Sequence, residues 1–392
     1  MARTGVDTHL ARVRALLDPV RHRPAETVPL ADALGRITAA DVDSPIPLPP
    51  FRNSQMDGYA VRAADLPGTL AVVAEIPAAP GEPARLAPGT AAKIMTGGPV
   101  PEGADAVVPV EQAEVDGGSV TLPAVEAGRF VRATGSDLAA GDRILPAGLR
   151  LASRHLAALA ASGRTEVAVR VPVRVAVIST GSELVAPGAP LGPGQIPDAN
   201  GVALVAAVAA AGGRVVHVGR VADDVAELRS TLDAALAAGA ELILTSGGVS
   251  MGDHEVVREL LEPLGAEVDV LAMQPGGPQA LARWGDVPVI CFPGNPVSSQ
   301  LSFELFVAPA LRETAALPPR VERQRRLTAP LSSQPGRRQF LRGRAVGDDE
   351  AETVGGPSSH LVAALAASDL LLVIPEDVTE LPAGASVETW EL

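Results

Sequence analysis

The sequence predicts a multidomain α/β-plus-β protein. It has a central doubly wound parallel-sheet domain, a β-rich inserted domain and a small C-terminal β domain. Three observations carry this expectation. Between residues 172 and 317, short apolar runs alternate with amphipathic helical stretches, the pattern of a parallel sheet with helices on both faces. Residues 47–145 give short β-like runs separated by Pro and Gly turns. The chain has 392 residues, more than one hydrophobic core fills.

Taken in order, Val6–Leu17 has helical periodicity that Pro19 interrupts. Ala31–Leu34 reads as a short helical piece ending at Gly35, and Ser44–Pro50 as an extended proline-rich connector. Leu70–Ala74, Ala104–Val110 and Ser119–Leu122 are the β-like runs of the inserted domain. Leu151–Ala161 is an Ala-rich helix, and Glu166–Val171 a strand. The expected division is an elongated N-terminal domain from 1–46 and 146–171, a β-rich insert over 47–145, an α/β domain over 172–317 and a β domain over 318–392.

Within the α/β segment, Val173–Ile178, Val215–Val218, Leu242–Thr245, Val268–Leu271 and Val287–Phe292 read as strands. Val202–Ala211, Val225–Ala238, Val256–Leu264 and Pro296–Leu311 read as helices. Ligands of such sheets bind beyond the carboxyl ends of the strands. Three glycine-bearing loops leave those ends: Ser179–Leu184, Thr245–Asp253 and Phe292–Pro296. In the second, Gly247-Gly248 permits a sharp turn and close backbone approach, and Asp253 is expected to cap the following helix. Strand, glycine-rich loop and helix N-terminus together make an anion site, or alternatively a tight turn with no ligand.

Composition bounds the partners. The net charge of -14 argues against general nucleic-acid or anionic-membrane binding, so any anion site is local. The single cysteine, Cys291, excludes an intramolecular disulfide and a cysteine cluster for zinc. The N-terminus shows no signal-peptide pattern, and a cytoplasmic location is expected.

Several motifs also have plain structural readings. Asp57-Gly58 suits a turn, Thr96 before Gly97-Gly98 a hydroxyl bonded to its own backbone, and Glu183 a helix-start carboxylate. Either of Asp223 and Asp224 suits a helix N-cap. Asn295, between Gly294 and Pro296, is placed to offer an amide at a strand end.

The ordered segments PLPPF, MDGYAVR, IMTGGPVPEGADAVV, TGSEL, DAN, SGGVSMGD, PGGP and FPGNPVS resemble the molybdopterin molybdenumtransferases, the MoeA type also found as the gephyrin E domain. The resemblance covers nearly the whole chain. It implies an elongated homodimer whose α/β domain is of the molybdopterin-binding type. It also implies an enzyme that takes adenylated molybdopterin and molybdate, inserts the metal and releases AMP with help from Mg²⁺. The implied catalytic positions are Asp57, Thr96, Arg132, Glu183 and Asp223, with Glu183 and Asp223 as metal ligands. The resemblance implies substrate at Thr180, Gly181, Ser246, Gly247, Gly248, Ser250 and Asp253, with the backbone amides of Gly247, Gly248 and Ser250 toward a phosphate or molybdate oxyanion. Gln274, Pro293, Asn295 and Pro296 complete that set. A molybdopterin adenylyltransferase and molybdoenzyme-specific chaperones are the implied partners.

The chain also departs from the family pattern. Arg52 and Ser182 stand where Asp is common, and Val270, Gln274 and Gly277 stand where lysines are common. That loss of cations motivates an alternative, a non-catalytic molybdopterin-binding or scaffold relative. A third reading is a transferase for a related pterin or nucleotide. The five carboxylate, hydroxyl and guanidinium positions together favour the enzyme, because a scaffold needs no acids at so many loop ends.

Overall fold

The computed structural model describes residues 3–249 and 255–392. The chain divides into two units, residues 1–25 with 170–392 and residues 26–169.

The first unit is built on a six-stranded sheet. Its strands are β1 (Arg174–Thr180), β2 (Arg214–Val221), β3 (Leu242–Ser246), β4 (Glu267–Val270), β5 (Pro278–Trp284) and β6 (Val287–Phe292). They lie in the order β2-β1-β3-β6-β5-β4. The first four are parallel, while β5 runs antiparallel to both β6 and β4. The sheet is therefore mixed at one side. Strand β5 was not anticipated, because its apolar run is interrupted by Gln279 and Arg283 and so gives no clean periodicity.

Alternation along the strands feeds two cores. Val175, Val177, Leu242, Leu244, Ile290 and Phe292 face one layer, which includes Leu204, Val208 and Leu301. Ala176, Ile178, Ile243, Val289 and Cys291 face the other, with Leu228, Leu232 and Val257. The expected closing helix is three pieces: an α-helix over Pro296–Ser302, a π-helical turn over Phe303–Val307 and an α-helix over Ala308–Thr314. Pro309 explains the break, since it lacks the N–H that a continuous ladder needs. The helix expected at Val202 begins earlier, at Ala199, because Asp198 caps it by accepting a hydrogen bond from the Gly201 N–H at 2.8 Å.

The C-terminal β domain is a closed barrel. Arg338–Val346, Glu350–Thr353, Glu322–Leu327, Ser386–Glu391 and Leu370–Ile374 follow one another, and the last pairs back with the first. The short strand Met273–Gln274 of the α/β segment adds to Arg338–Val346 in parallel.

Of the segments expected to form one N-terminal domain, 26–46 and 146–169 fall in the same unit, while 1–25 and 170–171 belong to the other. The helix Val6–Leu16 and the turn after it send Val6, Val13, Leu17 and Val20 into the α/β core. Asp7 and Arg338 form a two-pronged ion pair at 2.9 and 3.0 Å that holds this helix to the barrel.

Residues 26–169 form the second unit. Ala33, Val42, Leu145, Leu151, Leu159 and Val167 share one core. The β-rich part is a six-stranded sheet in the order Ala106–Pro109, Gly58–Val61, Thr90–Ile94, Gly68–Ile76, Ser119–Leu122 and Glu114–Asp116. Among the described residues, no helix is long and apolar enough to cross a membrane.

Candidate functional site

A cleft of about 1030 Å³ lies in the first unit, at the carboxyl ends of β1, β2, β3 and β6. Thr180, Gly181, Glu183, Asp223, Ser246, Gly247, Gly248, Gln274, Pro293, Asn295 and Pro296 all line it. These sequence-expected positions therefore meet in one place. Ser250 and Asp253 lie outside the described residues, and so does the capping role expected of Asp253.

The loop backbones leave no room for side chains. Gly247 has φ +97° and a Cβ there would meet the Thr180 carbonyl oxygen at 2.4 Å. Gly248 has φ +67° and a Cβ would meet Val257 Cγ2 at 2.8 Å. Only glycine accommodates both constraints. The loops are also tied to one another. The Gly247 N–H donates to the Phe292 carbonyl at 3.0 Å, so this amide ties loops together and does not serve an anion as expected, and Asn200 Nδ2 donates to the Gly294 carbonyl at 2.7 Å. Ser179 donates to buried Asp198 at 3.0 Å.

The acids divide their work. Asp224 caps the helix Val225–Ala237 through the Glu227 N–H at 2.8 Å. That leaves Asp223 to the cleft. Asp223 accepts the Ser182 N–H at 3.0 Å, and its own N–H donates to Ser182 Oγ at 3.0 Å. This reciprocal pair joins the loops after β1 and β2, so Ser182 has a structural task. The exposed Glu183 carboxylate has no hydrogen bond or ion pair among the described residues and folds back over Gly181. Asn295 holds the N-cap position of Pro296–Ser302 without using its side chain to cap. Its amide remains available at the cleft.

The donor set meets the demands of Mg²⁺, which takes hard oxygens and often one or two carboxylates plus substrate phosphates. Among the described residues, no group of three or more His, Cys, Asp or Glu side chains forms a ready cage.

Sequence reasoning missed Arg3, Arg337, Ser358, Ser359 and His360, which line the same cleft. Arg3 arrives because Thr4 bridges Leu271 and its hydroxyl donates to Asp269 at 2.8 Å. Arg337 precedes the barrel strand that pairs with Met273–Gln274. The Val297 N–H donates to the Ser359 carbonyl at 3.1 Å. No local pattern announces these residues, because long-range pairing alone brings them in.

The other three expected residues belong to the second unit. Gly58 pairs with Ile94, so Asp57 and Thr96 leave neighbouring strands at one end. Asp57 Oδ1 accepts the Thr96 N–H at 2.6 Å and its hydroxyl at 2.8 Å. These two bonds, the amide's foremost, hold the carboxyl below the usual carboxylate range. Arg132 Nη1 donates to Asn53 Oδ1 at 3.2 Å, on a strand paired with Asn53–Ser54.

The comparisons with known proteins agree with this architecture. Residues 176–313 match the family described as "Probable molybdopterin binding domain", which sets the class. Residues 4–163 match "MoeA N-terminal region (domain I and II)", and residues 324–392 "MoeA C-terminal region (domain IV)". Molybdopterin molybdenumtransferase 2 of Mycobacterium tuberculosis is 45% identical over 387 residues, covering 93% of this chain and 95% of that protein. The Nostoc molybdopterin molybdenumtransferase is 40% identical over 305 residues, covering 74% of this chain and 70% of that protein. The structure of a molybdopterin biosynthesis MoeA protein from Pyrococcus horikoshii superposes with a TM-score of 0.84. Its identity is 33%, and the match covers 100% of this chain and 99% of that one. The chain belongs to the molybdopterin molybdenumtransferase (MoeA) family of molybdenum cofactor biosynthesis.

Proposed function

We propose that this chain inserts molybdenum, supplied as molybdate, into adenylated molybdopterin and releases AMP. The observation that carries the reading is the convergence of glycine loops, two carboxylates and the Asn295 amide on one cleft at four parallel strand ends. Adenylation joins two phosphates in an anhydride; attack of water on one phosphorus breaks the P–O–P bond and leaves AMP and the pterin's own phosphate. Negative charge then builds on the departing phosphate and needs compensation. Arg3 and Arg337 border the cleft and offer it, which weakens the motive for a non-catalytic reading based on the absent lysines. Glu183 and Asp223 would hold Mg²⁺ in company with substrate phosphate. The bound ion would supply charge stabilisation on the phosphoryl oxygens. With only two carboxylates, that Mg²⁺ is expected to bind weakly until a phosphate joins it.

Asp57, Thr96 and Arg132 enter the proposal through the family alone. The assembly proposed is a homodimer, with substrate handed over by an adenylyltransferase and product passed to chaperones of molybdoenzymes. The test is incubation of purified protein with adenylated molybdopterin, molybdate and Mg²⁺, following AMP. AMP release that requires all three components is expected. Binding of the substrate without AMP release would replace this reading by the non-catalytic one.

A further inference from the structure

We infer that Gln339 is a positioning residue that turns the side-chain amide of Gln274 so that its NH₂ end serves an oxyanion in the cleft. The inference deepens the proposed function and rests on its reading of the cleft as an anion site.

The register comes first. Met273–Gln274 and the start of Arg338–Val346 pair in parallel, with Gln274 directly opposite Gln339. Gln339 is buried, 2% exposed, and its Nε2 donates to Gln274 Oε1 at 2.8 Å. Gln274 is partly exposed and lines the cleft. With its carbonyl oxygen committed to Gln339, the end of Gln274 left for a ligand is the donor end.

The direction of this bond has an energetic basis. As arranged, the buried Gln339 Oε1 lacks a partner. Turning both amides would leave a buried NH₂ group without an acceptor instead. Orphaned donors are rarer in proteins than under-satisfied carbonyl oxygens. The surroundings reinforce the pair. The Arg338 N–H donates to the Ala272 carbonyl at 2.9 Å, and Arg338 is anchored on Asp7 and Glu376. The barrel strand is thus fixed against the cleft edge, and Gln339 cannot drift from Gln274 without breaking that frame.

The consequence is a neutral, oriented donor at a cleft that also holds Arg3 and Arg337. The oxyanion could be a phosphate of the adenylated pterin or molybdate itself. Both offer charged oxygens, and the experiment separates them. Calorimetric titration of the full-length protein with AMP, molybdate and neutral adenosine is the measurement. Gln339→Glu provides acceptors only, so Gln274 must turn its NH₂ toward residue 339 and its carbonyl toward the ligand. Affinity for AMP, for molybdate or for both should fall about tenfold or more, the scale of a lost hydrogen bond to a charged group. Adenosine binding should stay unchanged. Gln339→Met removes the tether without adding charge, and about a threefold loss is expected in the same anion. Adding Gln274→Lys to Gln339→Glu should restore anion binding, because the new cation pairs with the acid and remains a donor.

Anion affinity equal to wild type in a folded Gln339→Glu protein would overturn the positioning role alone. Equal losses for adenosine and the anions, or failure of both single variants to fold, would make Gln339 merely structural. If wild type bound neither AMP nor molybdate, the reading of the cleft would fall, and this inference with it.

Discussion

Asp57 and Glu183 are both exposed acids in loops at strand ends, and they differ in what holds them. Asp57 takes two hydrogen bonds from Thr96, so the protein already satisfies part of its charge. Among the described residues Glu183 has no such partner, and Asp223, which lines the same cleft, keeps only the Ser182 contact. One carboxylate is thereby fixed as an acceptor, and the others remain able to recruit a cation. A rigid backbone is common to both: a Cβ at Gly247 would meet the Thr180 carbonyl oxygen at 2.4 Å, and one at Gly58, next to Asp57, the Val108 carbonyl oxygen at 2.1 Å.

The largest expected effect breaks that rigid backbone on the cleft side of the comparison. Gly247→Ala puts a Cβ 2.4 Å from the Thr180 carbonyl at a positive φ. Strain and overpacking together should cost about 2–4 kcal/mol. Gly277→Ala is the control. Its backbone is not left-handed, and a Cβ there meets its nearest neighbour at 3.6 Å, an ordinary contact. Urea unfolding should separate the two variants clearly. A Gly247→Ala midpoint equal to wild type would mean that the loop relaxes, and the fixed-cradle account would fail.

Much of that cradle was legible in the sequence, for a physical reason. A parallel sheet sends its loops to one edge, so glycines and acids after successive strands must meet there. That rule placed Thr180, Glu183, Asp223, Gly247 and Asn295 without any knowledge of tertiary contacts. It could not place Arg3 or Arg337, which reach the cleft through pairings with residues 271–274. Nor could local periodicity show that Val6–Leu16 belongs to the α/β core, since an amphipathic helix does not name its partner. The two adjacent acids show the same limit. Sequence allowed either Asp223 or Asp224 to cap, and only the fold assigns the cap to Asp224.

The next effect in size sharpens the comparison within the cleft. Glu183→Ala should leave the unfolding temperature nearly unchanged, because no described bond is lost. Asp223→Ala removes the acceptor for the Ser182 N–H and should lower stability by about 1 kcal/mol. Both should raise the Mg²⁺ concentration needed for half-maximal AMP release. The discriminating result is the pairing of readouts. If Glu183→Ala lowered stability as much as Asp223→Ala while leaving the Mg²⁺ requirement intact, Glu183 would be a structural acid and the contrast with Asp57 would vanish.

The smallest effect concerns Asp57 and the acid side of the stability profile. Its folded pKa is lowered by the Thr96 bonds, so folding favours the charged form. The resulting stabilisation is present above the unfolded value, about 4. It is lost as pH falls through the lower folded value. A second group acts in a neighbouring window. His9 is fully buried, and burial pushes its pKa down to about 4 from the ordinary 6.5. The unfolded chain therefore binds more protons between those values, and stability falls as pH drops from 6.5 toward 4. The two contributions separate by pH. Asp57→Asn should follow the wild-type profile in shape from pH 7 to about 4.5, with a constant offset, and flatten only below about 4. His9→Phe should instead flatten the limb between 6.5 and 4. Thermal unfolding across this range, for each variant against wild type, is the measurement. If Asp57→Asn changed the slope above pH 5, the Thr96 bonds would not be what sets its charge, and the fixed acceptor would prove as open to cations as Glu183.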